Sequence, residues 1–110
     1  DLLDLLHNLR AQDKIIAGYG ASAKGNTLLN YCGIDSSLMP VVFDKNDLKV
    51  GLMTPGTHIP VHQAADLGDH QPDYLLILAW NFADEIMRQQ QAFHNSGGKF
   101  IIPIPELKVV

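Results

Sequence analysis

Three glycines, a serine, a threonine and a lysine fall within Gly18-Tyr-Gly-Ala-Ser-Ala-Lys-Gly-Asn-Thr27, and these are residue types that hold an anion. Lys14 to Ala17 ahead of them reads as a short apolar strand, and Asn26 to Cys32 as a helix-compatible run. A strand, a glycine turn and a helix aim backbone N–H groups and the positive end of a helix dipole at an anion, usually a phosphate. Gly18 and Gly20 permit backbone angles and a close ligand approach that a Cβ would block. Lys24 and the hydroxyls of Ser22 and Thr27 are further donors around the same anion. A plain strand-to-helix turn that binds nothing satisfies the same pattern.

Three named patterns approach this stretch, each with a defect. The dinucleotide fingerprint G-x-G-x-x-G/A fits from Gly18 through Gly20 to Ala23, with Asp44 downstream where a ribose acceptor belongs. The phosphate-loop pattern G-x-x-x-x-G-K-[ST] fits from Gly20 to Thr27, but Asn26 stands at the lysine position. The nucleophile elbow G-x-S-x-G places Ser22 correctly and then has Lys24 where its last glycine belongs.

Other candidate chemistry is scattered. Asp44 can accept from a ribose or sugar hydroxyl, or cap a turn, or pair with Lys45. Trp80 and Phe82 can stack a base or sugar, although packing beneath a loop is the stronger expectation for Phe82. Asn81 suits a helix N-cap or a ligand hydrogen bond. The five histidines show no cluster in sequence, and Pro60 spoils the His58/His62 spacing for a helical ligand pair. With one cysteine and no H-E-x-x-H pattern, no metal site is predicted. Asp84 and Glu85 read as first-turn helix charges, and no complete catalytic set is visible.

Composition narrows the class. At 110 residues with 46% hydrophobic and 18% charged residues, the expectation is one globular domain with one core. A net charge of −4 leaves no basic patch for a nucleic-acid backbone. The single Cys32 excludes an internal disulfide, fits a reducing cytoplasm, and suits a small buried position. No apolar run is long enough for a membrane span, and nothing resembles a signal peptide. Asp1 opens directly into a helical pattern, which suggests a piece of a longer protein.

Alternating elements must position these residues. Leu2, Leu5, Leu6 and Leu9 predict a lead-in helix over residues 1–12. Strands follow at Lys14–Ala17, Pro40–Asp44, Thr57–Val61, Asp73–Ala79 and Lys99–Ile104, with Pro60 marking an edge or strand end. Helices are predicted from Ser22 to Cys32, briefly from His62 to Gly68, and from Asn81 to Asn95 on a Phe82, Ile86, Phe93 stripe. Strands alternating with helices imply a parallel sheet with right-handed crossovers. The predicted fold is α/β, a small Rossmann-like three-layer sandwich with a mostly parallel sheet of about five strands. Gly18 to Gly25, Asp44 to Asn46, Trp80 to Phe82 and Pro103 to Glu106 then reach the carboxyl ends of the strands, where one shared pocket is expected.

Taken in order, Gly18 to Thr27, Pro55-Gly-Thr-His-Ile-Pro60, Leu76-Ile-Leu-Ala-Trp-Asn-Phe82 and Gly97-Gly-Lys-Phe-Ile-Ile-Pro-Ile-Pro105 resemble the C-terminal domain of S-adenosylmethionine-dependent sugar C-methyltransferases. The resemblance runs from about Leu2 to Pro105. It implies a parent with an N-terminal zinc-binding domain and a central methyltransferase domain that holds the methyl donor. The domain present here would help bind a nucleotide-linked sugar, with the diphosphate at or near the glycine loop in contact with Gly20, Ala21, Ser22, Lys24 and Gly25, and with Trp80, Asn81 and Phe82 on the pocket wall. Such parents remove a proton beside a ketone and transfer a methyl group from the sulfonium to the enolate carbon. The resemblance puts the base and the donor site elsewhere in the parent, so no cofactor and no catalytic residue are expected in these 110 residues. A nicotinamide-dependent oxidoreductase domain and a non-catalytic nucleotide-binding module are the other readings the residues leave open.

Overall fold

A computed structural model describes all residues, Asp1–Val110. The chain opens with helix α1 (Leu2–Ala11), whose first turn is capped by Asp1 accepting from the Asp4 amide at 2.9 Å. Strand β1 (Ile16–Tyr19) leads to α2 (Ala23–Cys32), which ends on Gly33 in the left-handed conformation. Strands β2 (Val42–Asp44) and β3 (Val61–Gln63) follow, and a 3-10 turn at Ala64–Asp66 leads into α3 (Leu67–His70). Strand β4 (Tyr74–Ile77) runs through a 3-10 turn, Trp80–Phe82, into α4 (Ala83–Gln89) and α5 (Gln91–Asn95). Strands β5 (Lys99–Ile102) and β6 (Lys108–Val109) close the chain.

The sheet order is β3-β2-β1-β4-β5-β6, parallel throughout except for β6. Strand order reverses between β1 and β4, the Rossmann-like arrangement in which ligands sit beyond the carboxyl ends of the strands. Side chains alternate across the sheet. Ile16, Val42, Leu76, Leu78 and Ile101 pack with Leu6, Leu9 and Leu29 under α1 and α2. Ala17, Tyr19, Phe43, Leu75, Ile77 and Phe100 face the opposite way, onto Leu67, Ile86 and Phe93 of α3, α4 and α5. The result is a three-layer sandwich. Each fully buried leucine or isoleucine in these layers contributes roughly 1.5–3 kcal/mol of transfer free energy. No helix is long and apolar enough to cross a membrane.

The crossover from β2 to β3 carries no helix. Residues 45–60 instead form an ordered loop that folds back on itself, with Gly51 donating to Val61 O at 3.0 Å and Val61 donating to Leu52 O at 2.9 Å. A helix in this position would cover the outer part of the α1/α2 face, and its absence leaves room there.

Several expectations are corrected. The third strand begins only at Val61, because Pro60 cannot donate to a ladder, and Thr57 and His58 lie in the preceding turn. His62 consequently sits in β3, and the following helix starts later. The Asn81–Asn95 helix breaks at Gln90 (φ −103°, ψ 33°), and Asn81 caps nothing because the 3-10 turn displaces the start of α4 to Ala83. Phe82 is 60% exposed rather than packed in the core. Cys32 is half-buried at the last position of α2. Strand β6 was not anticipated, since two residues after a proline-rich stretch show no alternation to read.

Candidate functional site

The glycine loop joins β1 to α2 at the strand-order reversal. Gly20 has φ +90°, and a Cβ there would stand 2.7 Å from Ala79 Cβ, so the loop needs glycine on both counts. At Gly25 a Cβ would stand 2.5 Å from Leu78 Cβ. Gly25, two residues beyond the exposed Ala23, therefore supplies the close packing of helix on sheet that a dinucleotide fingerprint asks of its third position. Ser22 caps α2 by accepting from the Gly25 amide at 3.1 Å, and its hydroxyl donates to Leu78 O at 3.4 Å.

Most of the loop's amides are satisfied within the chain. Gly20 N–H donates to Phe43 O at 2.8 Å and Ser22 N–H to Gly20 O at 2.8 Å. Asp44, buried at the end of β2, accepts from the Ala21 amide at 2.7 Å on one oxygen and from the Asn46 amide at 2.7 Å on the other. It makes no ion pair with Lys45. The amides of Ala23 and Lys24, in the first turn of α2, have no acceptor in the chain. Lys24 and Thr27 are exposed, and the Thr27 hydroxyl donates back to Ala23 O at 3.1 Å.

Beside the loop lies a cavity of about 480 Å3, walled by Ala21 to Ala23, Asn26 and Thr27, by Lys49 and Leu52 to Pro55, and floored by Leu29, Val61 and Leu78. It occupies the space left by the absent crossover helix. The Lys49 ammonium donates to Ala21 O at 2.6 Å, tying the 45–60 loop to the glycine loop. A second tie runs from α2, where the Asn30 side-chain amide donates to Pro55 O at 3.0 Å. Buried Thr54 accepts from the Ile59 amide at 2.9 Å and shares a 2.6 Å contact with the Thr57 hydroxyl. Asn26 Oδ1 is buried without a partner.

The expected single pocket is divided in two. Trp80, Asn81 and Phe82 line a separate cavity of about 440 Å3 together with Arg88, Ile104, Pro105 and Glu106. The division follows from the 3-10 turn, which carries these residues toward α4 and β5. A still larger cavity of about 650 Å3 lies between Leu67, Gln71, Asp73 and Gly97, at the amino ends of β4 and β5 and so at the opposite end of the sheet from the glycine loop. Histidines do meet at one point: the His62 and His70 rings lie 5.1 Å apart, edge to face, with His70 also against Phe43. His58, at φ 55°, lies exposed in its turn.

Tyr19, the residue between the first two loop glycines, points to the opposite face and accepts from Gln90 Nε2 at 3.2 Å. Burial pushes its phenol above the usual tyrosine range, the Gln90 hydrogen bond opposes this, and the Asp44 charge adds to the rise.

Sequence reasoning singled out the glycine loop and Asp44 but missed Lys49, Leu52, Met53 and Thr54. Their only signal was Asp44-Lys-Asn-Asp-Leu-Lys-Val-Gly51, which reads as a polar loop and says nothing of where it folds.

Comparison with known proteins gives these features a family. Residues 1–105 match the family described as the C-methyltransferase C-terminal domain. The chain is also 41% identical over 107 residues to the C-methyltransferase NovU of Streptomyces niveus, an alignment covering 97% of this chain and 26% of that protein. The chain thus spans about a quarter of the length of that relative. With a match across nearly its whole length, this chain belongs to the C-methyltransferase C-terminal domain family.

Proposed function

We propose that this domain binds the nucleotide-linked sugar of an S-adenosylmethionine-dependent C-methyltransferase that acts on a keto-deoxysugar nucleotide. The observation that carries this reading is the cavity at the strand-order reversal. There the glycine loop and Pro55, from two of the stretches that carry the family resemblance, line one cavity, with Lys49 tying the 45–60 loop to Ala21 and Asn30 tying it to α2. Ligands of Rossmann-like sheets sit at this address.

The diphosphate belongs at the first turn of α2, where the amides of Ala23 and Lys24 are free and the Lys24 side chain is exposed. Gly20, Ala21, Ser22 and Gly25 shape that turn, and Asp44 holds it. Trp80, Asn81 and Phe82 begin one residue beyond Ala79, which abuts Gly20, and we assign their cavity to the sugar end of the ligand.

The contacts already made by Asp44 weigh against the methyl donor at this chain's loop. Both oxygens of Asp44, the acid placed to take adenosyl ribose hydroxyls, already hold amides of Ala21 and Asn46. The same contacts weaken a nicotinamide-dinucleotide reading. We assign the donor and the catalytic base to a preceding methyltransferase domain of the parent enzyme, and place that enzyme in the cytoplasm, a compartment that suits the free thiol of Cys32.

Calorimetric titration with thymidine diphosphate, NADH and S-adenosylmethionine tests the reading. Thymidine diphosphate alone should bind, and Lys24→Ala should weaken it about two- to fivefold, as expected for one exposed charge–phosphate contact. Preference for NADH or for the methyl donor, or no binding of thymidine diphosphate, would refute it.

A further inference from the structure

The charge distribution around the cavity is uneven. The chain carries twelve acids against eight lysines and arginines, yet Lys49 is the sole charged side chain lining this cavity, and no carboxylate lines it. Lys49 is half-buried and has no carboxylate within 4.0 Å. An ammonium carries three N–H donors, and Ala21 O accepts one at 2.6 Å. A half-buried cation facing an acid-free wall favours an anion, because the low-dielectric surroundings strengthen any charge that approaches it. The rest of the lining is largely apolar, and Leu52 and Met53 at the rim are each 59% exposed. A cavity with one cation and broad apolar surface suits a ligand with an anionic group and a flat apolar body.

We propose that Lys49 binds the diphosphate of the nucleotide-linked substrate directly, with Leu52 and Met53 covering its base; this rests on the nucleotide-sugar reading above. The glycine-loop amides then serve to build the site, since those of Gly20, Ala21, Ser22 and Gly25 are already engaged. The 45–60 loop replaces a crossover helix because it carries this lysine to the cavity wall.

The test is the affinity of the whole chain for thymidine diphosphate in wild type, Lys49→Gln and Lys49→Arg, each measured at low and high salt and each with its melting temperature. Glutamine keeps a donor for Ala21 O while removing the charge. Lys49→Gln should weaken binding at least tenfold, the scale of a lost charge-assisted hydrogen bond, and flatten the salt dependence, with Lys49→Arg recovering most of the loss. Unchanged affinity in Lys49→Gln would overturn the proposal while leaving the nucleotide-sugar reading intact. Weakened binding with the wild-type salt dependence would also overturn it, assigning Lys49 to the Ala21 clamp alone. No binding by wild type would overturn both.

Discussion

Asp44 shows how a single side chain can organise a loop. Two backbone amides separated by more than twenty positions converge on its two oxygens at 2.7 Å each. Asn in its place presents one acceptor and one donor, so one amide loses its partner at a cost of about 1–3 kcal/mol. Asp44→Asn should therefore lower the urea midpoint of unfolding by a corresponding amount; an unchanged midpoint would show that the loop does not depend on this carboxylate. Tyr19 gives a prediction with a definite sign. Its folded-state phenol sits above the ordinary value, so its contribution is fully present below about pH 10 and is lost as pH rises through the folded value. The stability difference between wild type and Tyr19→Phe should hold constant below that range and shift against wild type above it. A difference that stays flat across alkaline pH would contradict the burial argument. The glycine loop and Asp44 were legible as chemistry from residue type and spacing. The engagement of the amides was not, because Phe43 O and the Asp44 carboxylate come from a strand far along the chain.

At the scale of elements, α2 is the hub. Its amino end packs on β4 through Gly25, Ser22 caps its first turn, and Asn30 holds the 45–60 loop. Gly25→Ala forces a methyl against Leu78 and should destabilise the fold by about 1–3 kcal/mol. Denaturant unfolding measures this directly, and a neutral outcome would mean that α2 can move off the sheet. Asn30→Ala should leave global stability nearly unchanged while raising amide exchange between Leu52 and Ile59, because it removes the exposed tie to Pro55 O. Equal exchange in both proteins would refute that role. Alternation and capping made α1, α2 and the central strands readable, since local sequence dictates them. The late start of β3 follows from Pro60, which the sequence marks as an edge or strand end, whereas the break at Gln90 and the two-residue β6 were not readable, since neither carries a local signal.

At the scale of the whole molecule, a doubly wound sheet with one crossover reduced to a loop accounts for where the cavity lies. A mostly parallel Rossmann-like sheet was recoverable from strands alternating with helices; that the expected single pocket splits at Trp80–Phe82 was not, because a 3-10 turn is set by packing. The chain spans about a quarter of the length of its relative, and on the function proposed above binding and methyl transfer would fall to different parts of a longer parent. The most direct test of the central claim is an amide chemical-shift map of the chain titrated with thymidine diphosphate. The account predicts saturable shifts concentrated at Ala21–Thr27 and Lys49–Thr54, around the 480 Å3 cavity. Shifts confined to Leu67–Asp73 and Gly97–Gly98, at the opposite end of the sheet, or none at all, would contradict it.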